Sequence, residues 1–195
     1  MTPRVVLFTR WPEPGRAKTR LIPALGADGA DGAAALHRRL TERILCEMRR
    51  AGLPMEVRTT GAAPTAFRAW LGEGPTYLDQ GEGDLGARLL RAAAPPVLFI
   101  GADIPDLAAA HLLQAAAALR DSPAVIGPAE DGGYILLGMR DPMPFLFSDM
   151  PWGTDQVFSL TVGRLAARGI APALLPMLAD LDRPEDLPRW PGLLA

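Results

Sequence analysis

Short apolar runs alternate with longer amphipathic segments along this chain, and the alternation predicts strands and helices in turn. Apolar or alternating runs predict strands at residues 4–8, 55–60, 76–78, 97–100, 124–127, 134–139 and 174–181. Apolar residues at helical spacing predict helices at residues 29–51, 64–71, 84–94, 107–119 and 154–168, then a closing helix near Pro184. Such alternation is typical of an α/β fold with a mostly parallel sheet, so residues 1–195 are expected to form a single domain.

The most strand-like run is Val97–Ile100, because it is continuously apolar and therefore typical of a central strand covered on both faces. The residues that follow it are G-A-D-I-P-D. In open α/β sheets, ligands bind at the carboxyl ends of the strands, so Asp103 is a candidate functional carboxylate. The alternative is that Asp103 serves only as a turn residue or a helix cap. Asp106 is expected to cap the helix that follows.

The first strand leads into a loop from Thr9 to Leu21 with the sequence T-R-W-P-E-P-G-R-A-K-T-R-L. The backbone near Gly15 and the following cations suit a polyphosphate, because N–H groups and fixed positive charges both stabilise phosphate oxygens. Lys18 is the only lysine in the chain, and its compact ammonium contacts phosphate differently from a guanidinium. A solvated basic loop is the alternative, since the sequence is neither a Walker A loop nor a G-x-G-x-x-G fingerprint.

Three further loops carry candidate site residues, each with a structural alternative. The glycine-rich loop at residues 79–86 permits close approach of a ligand, but Asp84 can equally be the N-cap of the next helix. Glu130 and Asp131 precede a Gly-Gly pair, which indicates either a site loop or an acidic hairpin turn. Thr154 is expected to N-cap its helix. Asp182 follows the last predicted strand and is either a site residue or the cap of the closing helix.

The composition disfavours several classes of protein. The chain has 195 residues and a formal net charge of −2 at pH 7, which argues against a nucleic-acid partner. No apolar run approaches the roughly 18 residues that a membrane span requires. The N-terminal residues also lack the apolar region of a signal peptide. We therefore expect no membrane span and a cytoplasmic location.

Few side chains in this sequence can bind a transition metal. Cys46 is the only cysteine, which excludes an internal disulfide, and it is expected to be a small core residue beside Ile44 and Leu45. His37 and His111 are the only histidines, and they lie far apart in two different predicted helices. A metal site built from histidine and cysteine is therefore not expected. Any bound metal should be a hard cation held by carboxylates.

These loops together resemble a known family, the bacterial DUF2064 glycosyltransferases, which are related to nucleotide-diphospho-sugar transferases. The matching pieces run in order from residue 9 to 187: P-E-P-G-R-A-K-T-R-L, Q-G-E-G-D-L-G-A-R-L, G-A-D-I-P-D-L, G-P-A-E-D-G-G-Y-I-L-L-G, P-W-G-T and D-L-D-R-P-E-D-L. Ala102 departs from the family's frequent threonine, and Gly153 from its more frequent serine. The resemblance implies a Rossmann-like GT-A fold with helices on both faces of the sheet, shared with molybdenum-cofactor and phospholactate guanylyltransferases.

The resemblance also implies roles for individual residues. The residues expected to meet the nucleotide phosphates are Gly15, Arg16, Lys18 and Arg20. Those expected to hold the base and ribose are Gln80, Gly81, Gly83, Asp84 and Gly86. Those expected to face the acceptor are Asp131, Gly132, Gly133, Trp152 and Thr154. Asp103 and Asp182 would bind Mg²⁺ or Mn²⁺, with Asp180 or Asp131 as alternatives to Asp182, and the catalytic residues would be Lys18, Asp103 and Asp131.

Three functions are compatible with these residues. The first is a metal-dependent glycosyltransferase that moves a sugar from a nucleotide diphosphate to a small-molecule acceptor. The second is a nucleotidyltransferase that joins a nucleoside monophosphate to a phosphorylated metabolite and releases pyrophosphate. The third is a catalytically silent nucleotide-binding module. The joint presence of Lys18, Asp103 and Asp182 argues against the third, because a silent domain need not keep acids for a metal.

Overall fold

The computed structural model describes residues 2–193, and its elements alternate between strand and helix as predicted. The strands are β1 (Arg4–Arg10), β2 (Met55–Thr60), β3 (Thr76–Asp79), β4 (Val97–Gly101), β5 (Ala124–Pro128), β6 (Tyr134–Met139) and β7 (Ala173–Leu174). The α-helices are α1 (Gly29–Ala51), α2 (Pro64–Leu71), α3 (Leu85–Ala92), α4 (Ala109–Asp121) and α5 (Val157–Ala166). Short 3₁₀-helices lie at Thr19–Ala24, Gly26–Asp28, Pro144–Leu146, Pro184–Arg189 and Pro191–Leu193.

All seven strands form one sheet in the order β3-β2-β1-β4-β6-β5-β7. β6 is antiparallel to both of its neighbours, and every other pairing is parallel. The carboxyl ends of β1, β2 and β4 therefore meet at one edge of the sheet. This edge is where a ligand is expected in an open α/β fold.

Helices cover both faces of the sheet. Leu98 and Ile100 of β4 pack on one face with residues of α1, α2 and α4. Val97 and Phe99, which alternate with them, pack on the other face with residues of α3 and α5. Burial of successive side chains on opposite faces explains why β4 is continuously apolar. The expected α/β fold with a mostly parallel sheet is confirmed.

The last predicted strand is wrong for most of its length. Only Ala173–Leu174 pairs with β5, and one isolated bridge joins Leu178 to Ala129. Pro176 lies between them, and a proline has no N–H to donate to the strand ladder. The segment nevertheless runs alongside β5, because the N–H groups of Leu175 and Leu178 donate to the carbonyl oxygens of Ile126 and Pro128.

Two predicted helix caps are also wrong. α4 begins at Ala109 because its first free N–H groups are satisfied from elsewhere: Ala109 N donates to Glu47 Oε2 at 2.9 Å, and Ala108 N donates to His111 Nδ1 at 3.0 Å. Asp106 instead accepts a hydrogen bond from Trp190 Nε1 at 3.1 Å.

Thr154 does not cap α5, which begins at Val157. Its hydroxyl donates to Pro151 O at 2.8 Å and so stabilises the preceding turn.

The prediction for Cys46 is wrong as well, because this residue lies on the exposed side of α1. No helix among residues 2–193 is both long and apolar enough to cross a membrane.

Close packing of β6 against its neighbours gives a stability test. A Cβ added at Gly138 would overlap the side chain of Val125 and would lie 2.6 Å from Leu98 Cδ2. We expect Gly138→Ala to lower the free energy of unfolding by about 1–3 kcal/mol, the usual cost of overpacking a core. Gly163→Ala in α5 is the matched control, because a Cβ there meets no atom within 4 Å. Urea denaturation should show the control at or above wild-type stability. Equal stabilities of the two variants would contradict this packing.

Candidate active site

The loop after β1 is anchored so that it presents Lys18 to the sheet edge. Leu21, in the 3₁₀-helix that follows, is fully buried in a cluster with Leu36, Leu40 and Leu181. Lys18 itself has a left-handed backbone, with φ of 50°. Its side chain is only 3% exposed. A lysine this buried requires partners of opposite charge, and here they are Asp103 and Asp182.

The ammonium of Lys18 lies between Asp103 and Asp182. Its Nζ is 2.9 Å from Asp103 Oδ1 and 3.6 Å from Asp182 Oδ1, and it also donates to the carbonyl of Leu181. The two carboxylates therefore lie near each other although they are distant in sequence. Leu181 N donates to Asp103 O at 2.8 Å, which fixes the segment that carries Asp182 against the end of β4.

Asp103 is held in its ionised form. Burial alone would raise the pKa of this carboxyl, but the Lys18 ammonium and the His37 ring outweigh it and hold the pKa well below its ordinary value. His37 Nδ1 lies 3.8 Å from Asp103 Oδ1. Oδ1 is inaccessible to solvent while 42% of the side chain is exposed, so the exposure lies towards Oδ2. Asp103 thus keeps one oxygen available to a ligand.

A cationic cavity of about 230 Å³ opens beside this cluster. Its lining residues include Arg10, Arg16, Lys18, Arg20 and Asp182. Arg20 NH1 is 2.5 Å from Asp182 Oδ2, and Arg16 is largely exposed. The structure therefore brings together the three predicted cations and adds Arg10, the last residue of β1. Gly15, with φ of 74°, forms the turn that precedes Arg16 and does not line this cavity.

A second cavity of about 380 Å³ lies over the ends of β1, β2 and β4. Its lining residues include Phe8, Thr9, Thr60, Gln80, Leu85, Arg88 and Asp103. Gln80 is buried, and its amide donates to Thr9 O at 2.9 Å and Arg58 O at 3.0 Å. Its Oε1 accepts from Arg88 NH1 at 3.2 Å. All its polar atoms are thus engaged within the protein, so Gln80 fixes the wall of this cavity.

Most of the glycine-rich loop, which is expected to hold the base and ribose, does not line the second cavity. Gly81, Gly83, Asp84 and Gly86 are absent from its lining, and Leu85 and Arg88 take their place. Asp84 is the N-cap of α3, with Oδ1 accepting from Ala87 N at 2.8 Å.

The glycines of this loop have structural roles. Gly81 and Gly83 have positive φ, and the guanidinium of Arg91 donates to the neighbouring carbonyls of Gln80 and Glu82. Gly86 is buried, and a Cβ there would overlap the carbonyl of Phe147. The loop is therefore a rigid support for α3 and Gln80.

A third cavity, of about 710 Å³, also has Asp103 in its lining and is strongly acidic. The acids in its lining are Asp103, Glu130, Asp131, Asp155, Asp180, Asp182, Glu185 and Asp186, and the cations are Arg20, Arg183 and Arg189. Glu130 is paired with Arg189 at 2.6 and 3.0 Å. Burial, and then the charge of Asp131, raise the pKa of Asp180 to about 6. The acids of this cavity therefore affect one another electrostatically.

The predicted acceptor residues divide into two groups. Asp131 and Thr154 line the acidic cavity. Trp152 does not, because its half-buried ring packs edge-on against Tyr134 at a centroid distance of 6.4 Å. Gly132 and Gly133 are absent from the lining too. Gly132 has φ of 86° and its carbonyl accepts from Phe158 N at 2.9 Å, while Gly133 N donates to Asp131 Oδ1 at 2.8 Å, so both glycines position Asp131.

Several residues at the site were not predicted. Arg10 could have been predicted from the sequence, because it ends β1 and precedes the basic loop. Arg88 gave a weaker signal, as a cation in the first turns of the helix after the glycine-rich loop. His37 gave none: it lies inside α1, and only tertiary packing places it beside Thr9, Arg10 O and Asp103.

Comparison with known proteins identifies relatives of this chain. The family described as "Uncharacterized protein conserved in bacteria (DUF2064)" matches residues 45–154. A comparison with curated protein sequences found no match. A crystal structure from Desulfovibrio desulfuricans G20, of a protein provisionally named a nucleotide-diphospho-sugar transferase, is 30% identical. That match covers 96% of this chain and 86% of the other, with a TM-score of 0.87.

Two more distant structures share the fold. One is CMP:2-keto-3-deoxy-manno-octonic acid synthetase complexed with CTP, at 15% identity, covering 100% of this chain and 98% of that one, with a TM-score of 0.60. The other is Rv0371c from Mycobacterium tuberculosis H37Rv in complex with manganese, at 18% identity, covering 97% of each chain, with a TM-score of 0.56. At these identities the likeness shows the fold alone.

The buried amide of Gln80 generates a test of the second cavity's wall. Gln80→Met keeps the length of the side chain but removes both donors, which leaves two backbone carbonyls with fewer partners. We expect a loss of about 1–3 kcal/mol in the free energy of unfolding. The exposed Gln114 of α4 provides the control, because Gln114→Met should change stability by no more than about 0.5 kcal/mol. If chemical denaturation gives both variants the same stability, Gln80 does not fix this wall.

Proposed function

The chain belongs to the bacterial DUF2064 family and is a transferase; we propose that it moves a sugar from a nucleotide diphosphate to an acceptor that carries no phosphate. The observation that carries the proposal is the position of Asp103. This carboxylate lines a cavity at the strand ends, a cationic cavity and an acidic cavity at the same time. A nucleoside, its diphosphate and an acceptor need three such regions around one reacting centre.

The diphosphate is proposed to bind in the cationic cavity. Arg10, Arg16 and Arg20 line it together with Lys18. Fixed cations stabilise phosphate oxygens, and they also stabilise the charge that develops on a departing diphosphate. The nucleoside then extends into the cavity beside Leu85 and Arg88. The CTP complex of the distant synthetase supports nucleotide binding by this fold.

A hard divalent ion fits the chemistry of the donors at this site. Asp103 has an accessible carboxylate oxygen, and Asp182 lies on the other side of the same ammonium. No group of three or more histidine, cysteine or acidic residues is arranged for a metal within residues 2–193. Asp103 and Asp182 would therefore hold Mg²⁺ or Mn²⁺ jointly with phosphate oxygens, which is usual for Mg²⁺. When bound, the ion would neutralise charge on the diphosphate. The manganese complex of Rv0371c supports the binding of a divalent ion by this fold.

The acceptor is proposed to bind in the acidic cavity beside Asp131. In the reaction, an acceptor hydroxyl oxygen bonds to the anomeric carbon of the sugar as the bond from that carbon to the diphosphate oxygen breaks. The hydroxyl proton passes to Asp131, and the nucleoside diphosphate leaves with the bonding electron pair. Asp131 is the proposed base because it lines the cavity and is positioned by Gly133 N at 2.8 Å.

The charge of the acceptor cavity favours glycosyl transfer over nucleotidyl transfer. A nucleotidyltransferase of the alternative type must bind a phosphorylated metabolite as the attacking group. Eight acids and three arginines line the acidic cavity. Asp182 is paired with Arg20, Glu130 with Arg189 and Asp103 with Lys18. Five acids and one arginine of the lining therefore remain outside these pairs. Such a cavity repels an anionic acceptor and accepts a neutral or cationic one.

The nature of the products tests this proposal directly. The protein is incubated with Mg²⁺, a panel of nucleotide sugars and a pool of neutral and amino-bearing polyols, and separately with nucleoside triphosphates and sugar phosphates. We expect release of nucleoside diphosphate in the first set and no pyrophosphate in the second. Pyrophosphate release that depends on a phosphorylated acceptor would establish nucleotidyl transfer and overturn the proposal.

Asp131→Asn tests the acceptor side. The substitution keeps the hydrogen bond from Gly133 N but removes the base, so turnover should fall by about 10²–10⁴-fold. Nucleotide affinity, measured by calorimetry, should change by less than about threefold, because Asp131 lies outside the cationic cavity. Asp141→Asn, at an exposed residue remote from the site, is the control for the loss of one charge. Parallel loss of nucleotide affinity in Asp131→Asn would place this residue on the donor side.

A further inference from the structure

The position between Asp103 and Asp182 already contains a cation, the ammonium of Lys18. Its Nζ is 2.9 Å from one carboxylate and 3.6 Å from the other, and the carbonyl of Leu181 provides a third oxygen partner. Three oxygens around a positive centre resemble part of the coordination sphere of a hard metal ion. The single charge of Lys18 therefore neutralises the two carboxylates only in part, and the buried Asp103 Oδ1 accepts no hydrogen bond within residues 2–193.

A divalent ion bound to the Oδ1 atoms of both carboxylates would conflict with the ammonium in its present position. Oxygen ligands bind Mg²⁺ at about 2.1 Å, so an ion between the two acids would lie close to Nζ. Two cations at such a distance repel each other strongly in a partly buried site. Lys18 must therefore move before one ion can bind both of the Oδ1 atoms that now face it.

The neighbouring cavity offers the ammonium a different partner. Lys18 is buried, yet it lines the cationic cavity together with Asp182 and three arginines. A diphosphate bound there would present anionic oxygens beside Nζ. The ammonium could then exchange carboxylate for phosphate without losing its charge partners, which a buried lysine requires.

We propose that Lys18 is an exchangeable internal cation, which fills the metal position in the nucleotide-free protein and gives it up when phosphate binds. This inference rests on the proposed function for the identity of the phosphate ligand. It predicts that the divalent ion binds with or after the nucleotide and only weakly alone. Because coupling between two ligands is reciprocal, the ion and the nucleotide strengthen each other's binding by the same factor.

Binding of Mn²⁺ alone provides the test, with the free ion measured by electron paramagnetic resonance and no nucleotide present. Lys18→Met keeps the apolar stem and removes the charge, so the two carboxylates lose their internal cation. We expect this variant to bind Mn²⁺ at least about tenfold more tightly than the wild type. The double variant Lys18→Met with Asp103→Asn should lose that gain.

Arg20→Met is the matched control. It removes one positive charge that also contacts Asp182, but Arg20 is 61% exposed and does not lie between the two acids. We expect a much smaller gain in Mn²⁺ affinity for this variant. An equal gain in Arg20→Met and Lys18→Met would show a general charge effect and would overturn the exchange.

The shift in melting temperature caused by Mn²⁺ is a second measurement, which can also be made if Lys18→Met folds poorly. Mn²⁺ should raise the melting temperature of Lys18→Met, or of the more polar Lys18→Gln, by more than that of the wild type, because a bound ion stabilises the folded state. Equal Mn²⁺ effects on all these proteins would refute the inference. If Lys18→Met binds Mn²⁺ more tightly but the wild type transfers no sugar, only the proposed function is refuted. If the wild type transfers sugar but Lys18→Met shows no gain in Mn²⁺ affinity, only the exchange is refuted.

Discussion

The buried ammonium of Lys18 holds the functional edge of this protein together. It joins the loop after β1 to the end of β4 through Asp103, and to the C-terminal segment through Asp182 and the Leu181 carbonyl. Apolar packing of Leu21 and Leu181 in one cluster supports the same connection. Because a buried charge without partners is costly, these segments must meet where Lys18 can pair, and this requirement places the two carboxylates beside the cationic cavity.

Most of the fold follows from local sequence. The bounds predicted for α1, α2, β2 and β6 agree with the structure, because each of these segments has a clear apolar pattern and ends at a glycine, a proline or a polar turn. The errors arise where tertiary contacts determine the end of an element. Glu47, which lies far away in sequence, satisfies the start of α4, and Pro176 interrupts the last strand while nearby N–H groups still bond to β5.

The candidate site was predictable where it depends on the ends of strands. Asp103 and the basic loop lie at the expected edge because parallel strands bring their carboxyl ends together. The proximity of Asp182 was predicted from a strand that does not extend that far, so the expected proximity occurs for a different reason. His37 could not be predicted, since its approach to Asp103 depends on how α1 packs over β1. The sequence alone could not distinguish a ligand-binding role of the glycine-rich loop from a structural one, because glycines permit a tight turn whether or not a ligand binds there.

We propose that one site at this edge holds a nucleotide diphosphate, with Lys18 on its phosphates and a divalent ion between Asp103 and Asp182. Anomalous diffraction near the manganese absorption edge tests it most directly, on crystals grown with Mn²⁺ and either uridine or guanosine diphosphate. We expect an anomalous peak within about 2.3 Å of an oxygen of each carboxylate, with phosphate oxygens in contact with Lys18 Nζ. A diphosphate bound elsewhere, or an ordered diphosphate at this edge with Lys18 still between the two acids, would contradict it.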